Sequence, residues 1–144
     1  MAPGERVYTG SRVRKLGAKA GMRAWLVGID DSTFADELRA DGVEVVIRGA
    51  EDDERDAIND GNTRPQIVFL GVHCLEDLGL LELYKNSIPR DGVIWLVRPK
   101  GRDTPVPERA AMEAGLEAGL VDVKVVSFSD THSALKYVFR LRDR

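Results

Sequence analysis

Nine residues of this 144-residue chain have types and spacing that bear chemistry: Asp30, Asp31, Ser32, His73, Cys74, Lys100, Arg102, Asp130 and His132. A thiol beside an imidazole is a nucleophile pair. Here the pair to consider is Cys74 with His132, because His73 and Cys74 are adjacent and point to opposite faces of an extended segment. No oxyanion loop accompanies them, and a lone cysteine beside a strand is most simply a small buried hydrophobe. Lys100 and Arg102 sit on a short loop fixed by Pro99 and Gly101. Two cations next to free backbone N–H groups at a helix start attract an anion. The competing reading is that they offset Asp30, Asp31 and Asp103. Asp130 orients the His132 imidazole or simply makes a hairpin turn. Two histidines and scattered acids lack the spacing of a metal site, so no metal is assigned.

These residues matter only if the fold brings them together. Arg23–Ile29, Gln66–Gly71 and Val93–Val97 are apolar on both faces, the pattern of buried parallel strands, and Val43–Arg48 is a fourth. The first helix starts at Asp31–Thr33, where Thr33 and Asp36 have the spacing of a capping box. Phe34 and Leu38 lie on its buried face, and Asp41-Gly42 ends it. A second, acidic helix is expected from Glu51 to Gly61-Asn62. A third spans about Leu75–Asn86, with Leu75, Leu78 and Leu81 spaced by three. Pro107 opens a fourth, with Met112 and Leu116 toward the core; its Gly115 and Gly119 permit close packing on a sheet. Val121, Val123 and Val125 then alternate with polar residues. After Ser127–His132, Leu135, Tyr137, Phe139 and Leu141 take one face against Lys136 and Arg140. Two alternating segments with a short connection make an antiparallel hairpin.

The expected fold is therefore α/β: a Rossmann-like three-layer α/β/α sandwich whose mostly parallel sheet ends in an antiparallel hairpin. Such sheets bind ligands beyond the carboxyl ends of their strands. Asp30, Asp31 and Ser32 follow strand one, His73 and Cys74 strand three, and Lys100 and Arg102 strand four. The hairpin loop brings Ser129, Asp130, Thr131 and His132 to the same edge. One feature runs against a nucleotide there. The first loop reads Gly28-Ile-Asp-Asp-Ser-Thr-Phe-Ala35, with one glycine where close approach to a pyrophosphate or adenosyl group calls for two or three. The second strand ends in Val46-Ile-Arg48, without an acid for ribose hydroxyls.

Charge is unevenly placed in a chain of net charge −3. Residues 1–23 carry six basic side chains against Glu5, and residues 30–60 carry twelve acids against Arg39, Arg48 and Arg55. Residues 1–22 are read as a basic arm with a short helix around Ser11–Leu16, and residues 23–144 as one domain. Nucleic acid is disfavoured as a partner, because the whole chain is acidic and the arm lacks interleaved aromatics. No apolar run approaches the roughly 20 residues of a membrane span. One cysteine excludes an internal disulfide. A bacterial cytoplasmic location is expected.

Two resemblances add to this reading. Leu83-Tyr-Lys-Asn-Ser-Ile-Pro-Arg-Asp-Gly-Val-Ile-Trp-Leu-Val97 and Glu117-Ala-Gly-Leu-Val-Asp-Val-Lys-Val-Val126 resemble the later half of a class I S-adenosylmethionine methyltransferase, shortened by one β-α unit. Tyr8-Thr-Gly-Ser, Lys15-Leu-Gly, Gly92-Val-Ile-Trp-Leu-Val-Arg-Pro-Lys100, Gly119-Leu-Val-Asp-Val-Lys124 and Ser133-Ala-Leu-Lys-Tyr-Val-Phe139 resemble a bacterial family labelled domain of unknown function 3052. That resemblance implies a methyltransferase-shaped domain lacking the cofactor loop, and carries no activity. The leading expectation is a non-catalytic domain acting through protein contacts or self-association, by way of the arm and an exposed hairpin edge. No cofactor is assigned. The alternative is a degenerate methyltransferase-like protein binding a nucleotide, adenosyl compound or anion around Asp30, Asp31, Ser32, His73, Lys100, Arg102, Asp130 and His132.

Overall fold

The sheet order β2-β1-β3-β4-β6-β5 follows from which segments are apolar on both faces. In the computed structural model, which describes residues 12–49 and 64–144, the strands are β1 (Arg23–Val27), β2 (Glu44–Arg48), β3 (Ile67–Gly71), β4 (Val93–Pro99), β5 (Leu120–Ser127) and β6 (His132–Phe139). β1, β3 and β4 are buried almost throughout and occupy the centre. β1 pairs in parallel with β2 and β3, and β3 with β4. β6 then enters antiparallel beside β4, with β5 outside it.

The pleat divides the core in two. Trp25, Val27, Val68, Leu70, Ile94, Leu96, Leu135 and Tyr137 face one layer. Ala24, Leu26, Ile67, Phe69, Trp95, Val97 and Ala134 face the other. Helix α1 (Ser32–Ala40) covers the second face with Phe34 and Leu38. Helices α2 (Leu80–Tyr84) and α3 (Glu108–Glu117) cover the first. These are the layers of a Rossmann-like sandwich, as the alternation of strands and helices requires.

Several local expectations are corrected. The cap of α1 is Asp31 rather than a box starting at Thr33: its carboxylate accepts from the Thr33 N–H at 3.1 Å. The helix over 75–86 is broken into a 3-10 turn (Leu75–Gly79), α2, and a second 3-10 turn (Lys85–Ser87). Leucines spaced by three suit the three-residue period of a 3-10 turn. Leu78 and Leu81 are buried, but Leu75 is 56% exposed. On α3, Ala111 and Gly115 face the sheet. A Cβ on Gly115 would lie 2.2 Å from the Tyr137 ring, so only glycine lets the helix come this close. That contact rolls Leu116 outward to 50% exposure, while Met112 stays partly buried against the core.

The hairpin departs in two ways. Leu141 has left the sheet and is 80% exposed in a final 3-10 turn. β6 is an interior strand, so Lys136 does not guard an edge; β5 is the edge, and its register shifts between Asp122 and Lys124. The described part of the N-terminal segment is packed rather than projecting. Residues 12–15 are helical, Val13 and Leu16 are each 1% exposed, and Trp95 Nε1 donates to the Leu16 carbonyl at 2.9 Å. The expected acidic helix from Glu51 lies outside the described residues. No helix among the described residues is long and apolar enough to cross a membrane.

Candidate functional site

The carboxyl ends of β1 and β3 nearly touch. Gly28 leaves β1 with φ +69°, and a Cβ on Gly71 would lie 2.2 Å from the Gly28 carbonyl oxygen. Two glycines are therefore required here, one for its turn and one for its missing side chain. His73 closes the junction. Its Nε2 lies 3.2 Å from the Gly28 carbonyl and 3.5 Å from Asp30 Oδ2. A carbonyl only accepts, so Nε2 carries the proton and, in the neutral ring, Nδ1 is the acceptor. The His73 backbone N–H donates to Asp77 Oδ2 at 2.8 Å, fixing the start of the following turn.

Asp31 is held from a different direction. Besides capping α1, its Oδ2 accepts from Arg12 Nη1 at 2.8 Å. Arg12 also pairs with Glu37 and donates to the Phe128 carbonyl at 3.1 Å. Its guanidinium lies 4.9 Å from the Phe34 ring centroid and 4.8 Å from that of Phe128. Burial opposes the Asp31 charge, but hydrogen bonds from Arg12 and Thr33 outweigh it and hold this carboxyl below the usual range.

The β5–β6 loop forms the opposite wall. Ser129 Oγ accepts from the Thr131 and His132 N–H groups at 3.3 and 3.1 Å, a hydroxyl-closed turn. Thr131 Oγ1 and His132 Nδ1 are 2.8 Å apart. Burial, and next the proximity of His73, push the His132 imidazole below its ordinary value. Asp30 and Asp31 pull the other way and are outweighed.

Between these walls is a cleft of about 380 Å³, within the usual size of small-molecule sites. Asp30, Asp31, His73, Phe128, Asp130 and His132 line it. Five of the eight candidate side chains line this cleft. Ser32, Lys100 and Arg102 do not line it. The Lys100 ammonium instead donates to Ser127 Oγ at 3.0 Å, and Ser32 and Arg102 are exposed. The cation that offsets Asp31 is Arg12, rather than the Lys100 or Arg102 of the competing reading. No thiol–imidazole pair forms, because Cys74 is outside the cleft wall and bonds to neither histidine. Arg12, Gly71 and Phe128 were not among the sequence candidates. The apolar pair Val13 and Leu16, next to Arg12, was the available sign that this segment docks.

A parallel sheet with a terminal antiparallel hairpin, and a cleft beyond its first strands, defines the methyltransferase-like class of Rossmann folds, and comparison with solved structures agrees. A methyltransferase of Aquifex aeolicus described as dependent on S-adenosylmethionine superposes with a TM-score of 0.62 at 13% identity, covering 90% of this chain and 88% of that one. The ribosomal protein L11 methylase of Lactobacillus delbrueckii subsp. bulgaricus gives 0.64 at 9% identity over 97% and 81%. Fibrillarin of Aeropyrum pernix, solved with natively bound S-adenosyl-L-methionine, gives 0.60 at 14% over 84% and 68%. CalO1, a methyltransferase of calicheamicin biosynthesis solved in its SAH-bound form, gives 0.64 at 16% identity, and this chain spans 55% of its length. No protein-family model matches the chain, and no curated protein matches it.

Proposed function

We propose that this chain is a methyltransferase-like domain that binds an adenosyl compound in the cleft beyond β1 and β3. The observation that carries the reading is the cleft itself, open at the edge where sheets of this kind take ligands and lined by polar groups from three separate loops. The character of those groups selects the ligand class. Asp30, Asp130 and Asp31, the last already paired with Arg12, line the cleft, and among the described residues no lysine or arginine does. Carboxylates accept hydrogen bonds from hydroxyl and amino groups, and repel phosphate. A nucleoside offers such donors, and a sulfonium adds a favourable charge. The helix start that would suit an anion is already capped by the Asp31 carboxylate. CalO1 and fibrillarin, of the same fold, were solved with adenosyl compounds.

The loop with a single glycine is accommodated in this reading. The Gly28–Gly71 contact and the His73 bond hold it down against β3, which leaves space above it. The resemblance to domain of unknown function 3052 is compatible with this and adds no activity. Self-association through the hairpin is the competing reading. The irregularity in edge strand β5 weighs against it, because bulges blunt edge-to-edge pairing. A thermal-shift screen against S-adenosylhomocysteine, S-adenosylmethionine, adenosine and inorganic phosphate tests the proposal. Ligand at 100 times its dissociation constant adds about 2.7 kcal/mol, a rise of several degrees. Stabilisation by the adenosyl compounds and not by phosphate is expected; stabilisation by phosphate alone would overturn the ligand class.

A further inference from the structure

A second concavity lies on the opposite side of the sheet from α1, between the 3-10 turn Leu75–Gly79 and α3. It measures about 740 Å³. Leu75 and Leu78 form one wall, and Ala110, Ala114 and Leu116 the other. Two of these leucines are the ones that apolar spacing assigns to the core and that the structure leaves in solvent, at 56% and 50% exposure. The tight seat of Gly115 on Tyr137 is what turns Leu116 into the groove. Gly79 and Ala114 keep the floor low. A shallow apolar channel between two leucines, over small residues, is the shape that receives a large side chain from an amphipathic helix.

The rim decides which helix. Glu82, Glu113 and Glu117 border the groove, with no basic residue in its lining among the described residues. Glu82 is paired with Lys85. Glu113 and Glu117 make no ion pair among the described residues and lie one turn apart on α3. Two cations nearby are already engaged: Lys85 donates to the Ala118 carbonyl at 2.8 Å and Arg140 to that of Leu116 at 3.5 Å. Arg109 lies one turn before Glu113 on α3, outside the groove lining. A second copy would present the same free glutamates and be repelled. A partner bearing Lys or Arg beside its apolar stripe would be attracted.

We infer that the groove between Leu75–Gly79 and α3 docks a basic amphipathic helix of another protein. An apolar residue of that helix enters between Leu75 and Leu116, and its cations meet Glu113 and Glu117. The ten residues of α3 span about 15 Å, so the partner segment is roughly three turns long. The inference is independent of the adenosyl cleft.

The test uses the full chain and fluorescein-labelled 14-residue peptides with leucine at i, i+3, i+4 and i+7, flanked by lysine in one version and by glutamate in another. Fluorescence anisotropy should show saturable binding of the lysine peptide only. Leu116→Ser should weaken it at least tenfold. The double variant Glu113→Lys, Glu117→Lys should lose the lysine peptide and gain the glutamate one; both side chains are at the surface, so it should fold, as circular dichroism will check. Absence of saturable binding, or equal binding to wild type and both variants, would overturn the inference. So would a wild-type dimer in sedimentation that Leu116→Ser dissociates, since the occupant would then be a second copy.

Discussion

Arg12 and Phe128 are separated by 116 positions, yet the Arg12 guanidinium packs 4.8 Å from the Phe128 ring and donates to its backbone carbonyl. The same guanidinium holds Asp31 and Glu37. One side chain therefore ties the N-terminal segment, the start of α1 and the hairpin loop, and the last two are walls of the cleft.

Removing that tie should be costly. Arg12→Ala leaves two partly buried carboxylates without their cation and exposes two ring faces. Breaking a buried pair costs about 3–5 kcal/mol. Arg12 and Glu37 are slightly exposed, at 14% and 13%, so a loss of about 2–3 kcal/mol is expected, read as a fall in melting temperature of roughly 6–10 °C. Arg12→Lys should recover only part of it, because lysine lacks the fork that spans both carboxylates. A change of less than one degree in calorimetry would contradict the clamp.

Gly71→Ala should damage the cleft at its base. The new methyl group would meet the Gly28 carbonyl, which is backbone and cannot swing aside. Overpacking of this kind costs about 1–3 kcal/mol. Gly79→Ala, with nothing within 4 Å of the added atom, is the matched control and should be close to neutral. Urea unfolding of the two variants distinguishes them.

The pH dependence of stability has a definite sign at His132. Its folded value is lowered, by burial first and then by His73. The unfolded chain therefore binds this proton more readily. The contribution is fully present above the ordinary histidine value and is lost as pH falls through the folded one. Asp31 behaves alike at lower pH: its folded value is also depressed, so its contribution fades as pH drops below the usual carboxylate range. A urea midpoint series from neutral to acid should show stability falling in two stages. His132→Gln should flatten the upper stage and leave the lower one.

Lys100 and Arg102 should prove irrelevant to the ligand. Neither lines the cleft, so their alanine variants should bind S-adenosylhomocysteine like wild type. His73→Ala removes a side chain that lines the cleft and bonds the first loop. It should weaken binding at least fivefold while lowering stability by only about 1 kcal/mol. Equal affinity in His73→Ala, or loss in Lys100→Ala, would move the site.

Much of this was legible in the sequence because the central strands are apolar on both faces. Trp25 and Val27 against Ala24 and Leu26 gave both core layers, and strand ends gave the edge where Asp30, His73 and His132 meet. What was not legible depends on distant contacts. Arg12 reads as one basic residue among six in an arm, since nothing local announces that Phe34 and Phe128 will enclose it. Leu116 has the spacing of a core residue; only the close seat of Gly115 on Tyr137 rotates it out. Lys100 lies in the expected loop, but its ammonium turns along the hairpin to Ser127 rather than toward the cleft.

The most direct test is a calorimetric titration of the full chain with S-adenosylhomocysteine, repeated on Asp30→Ala, whose exposed carboxylate lines the cleft. Saturable one-site binding by the wild type, weakened at least tenfold by the substitution, is the predicted result. Absence of heat at millimolar ligand, or binding that Asp30→Ala leaves unchanged, would contradict an adenosyl site in this cleft.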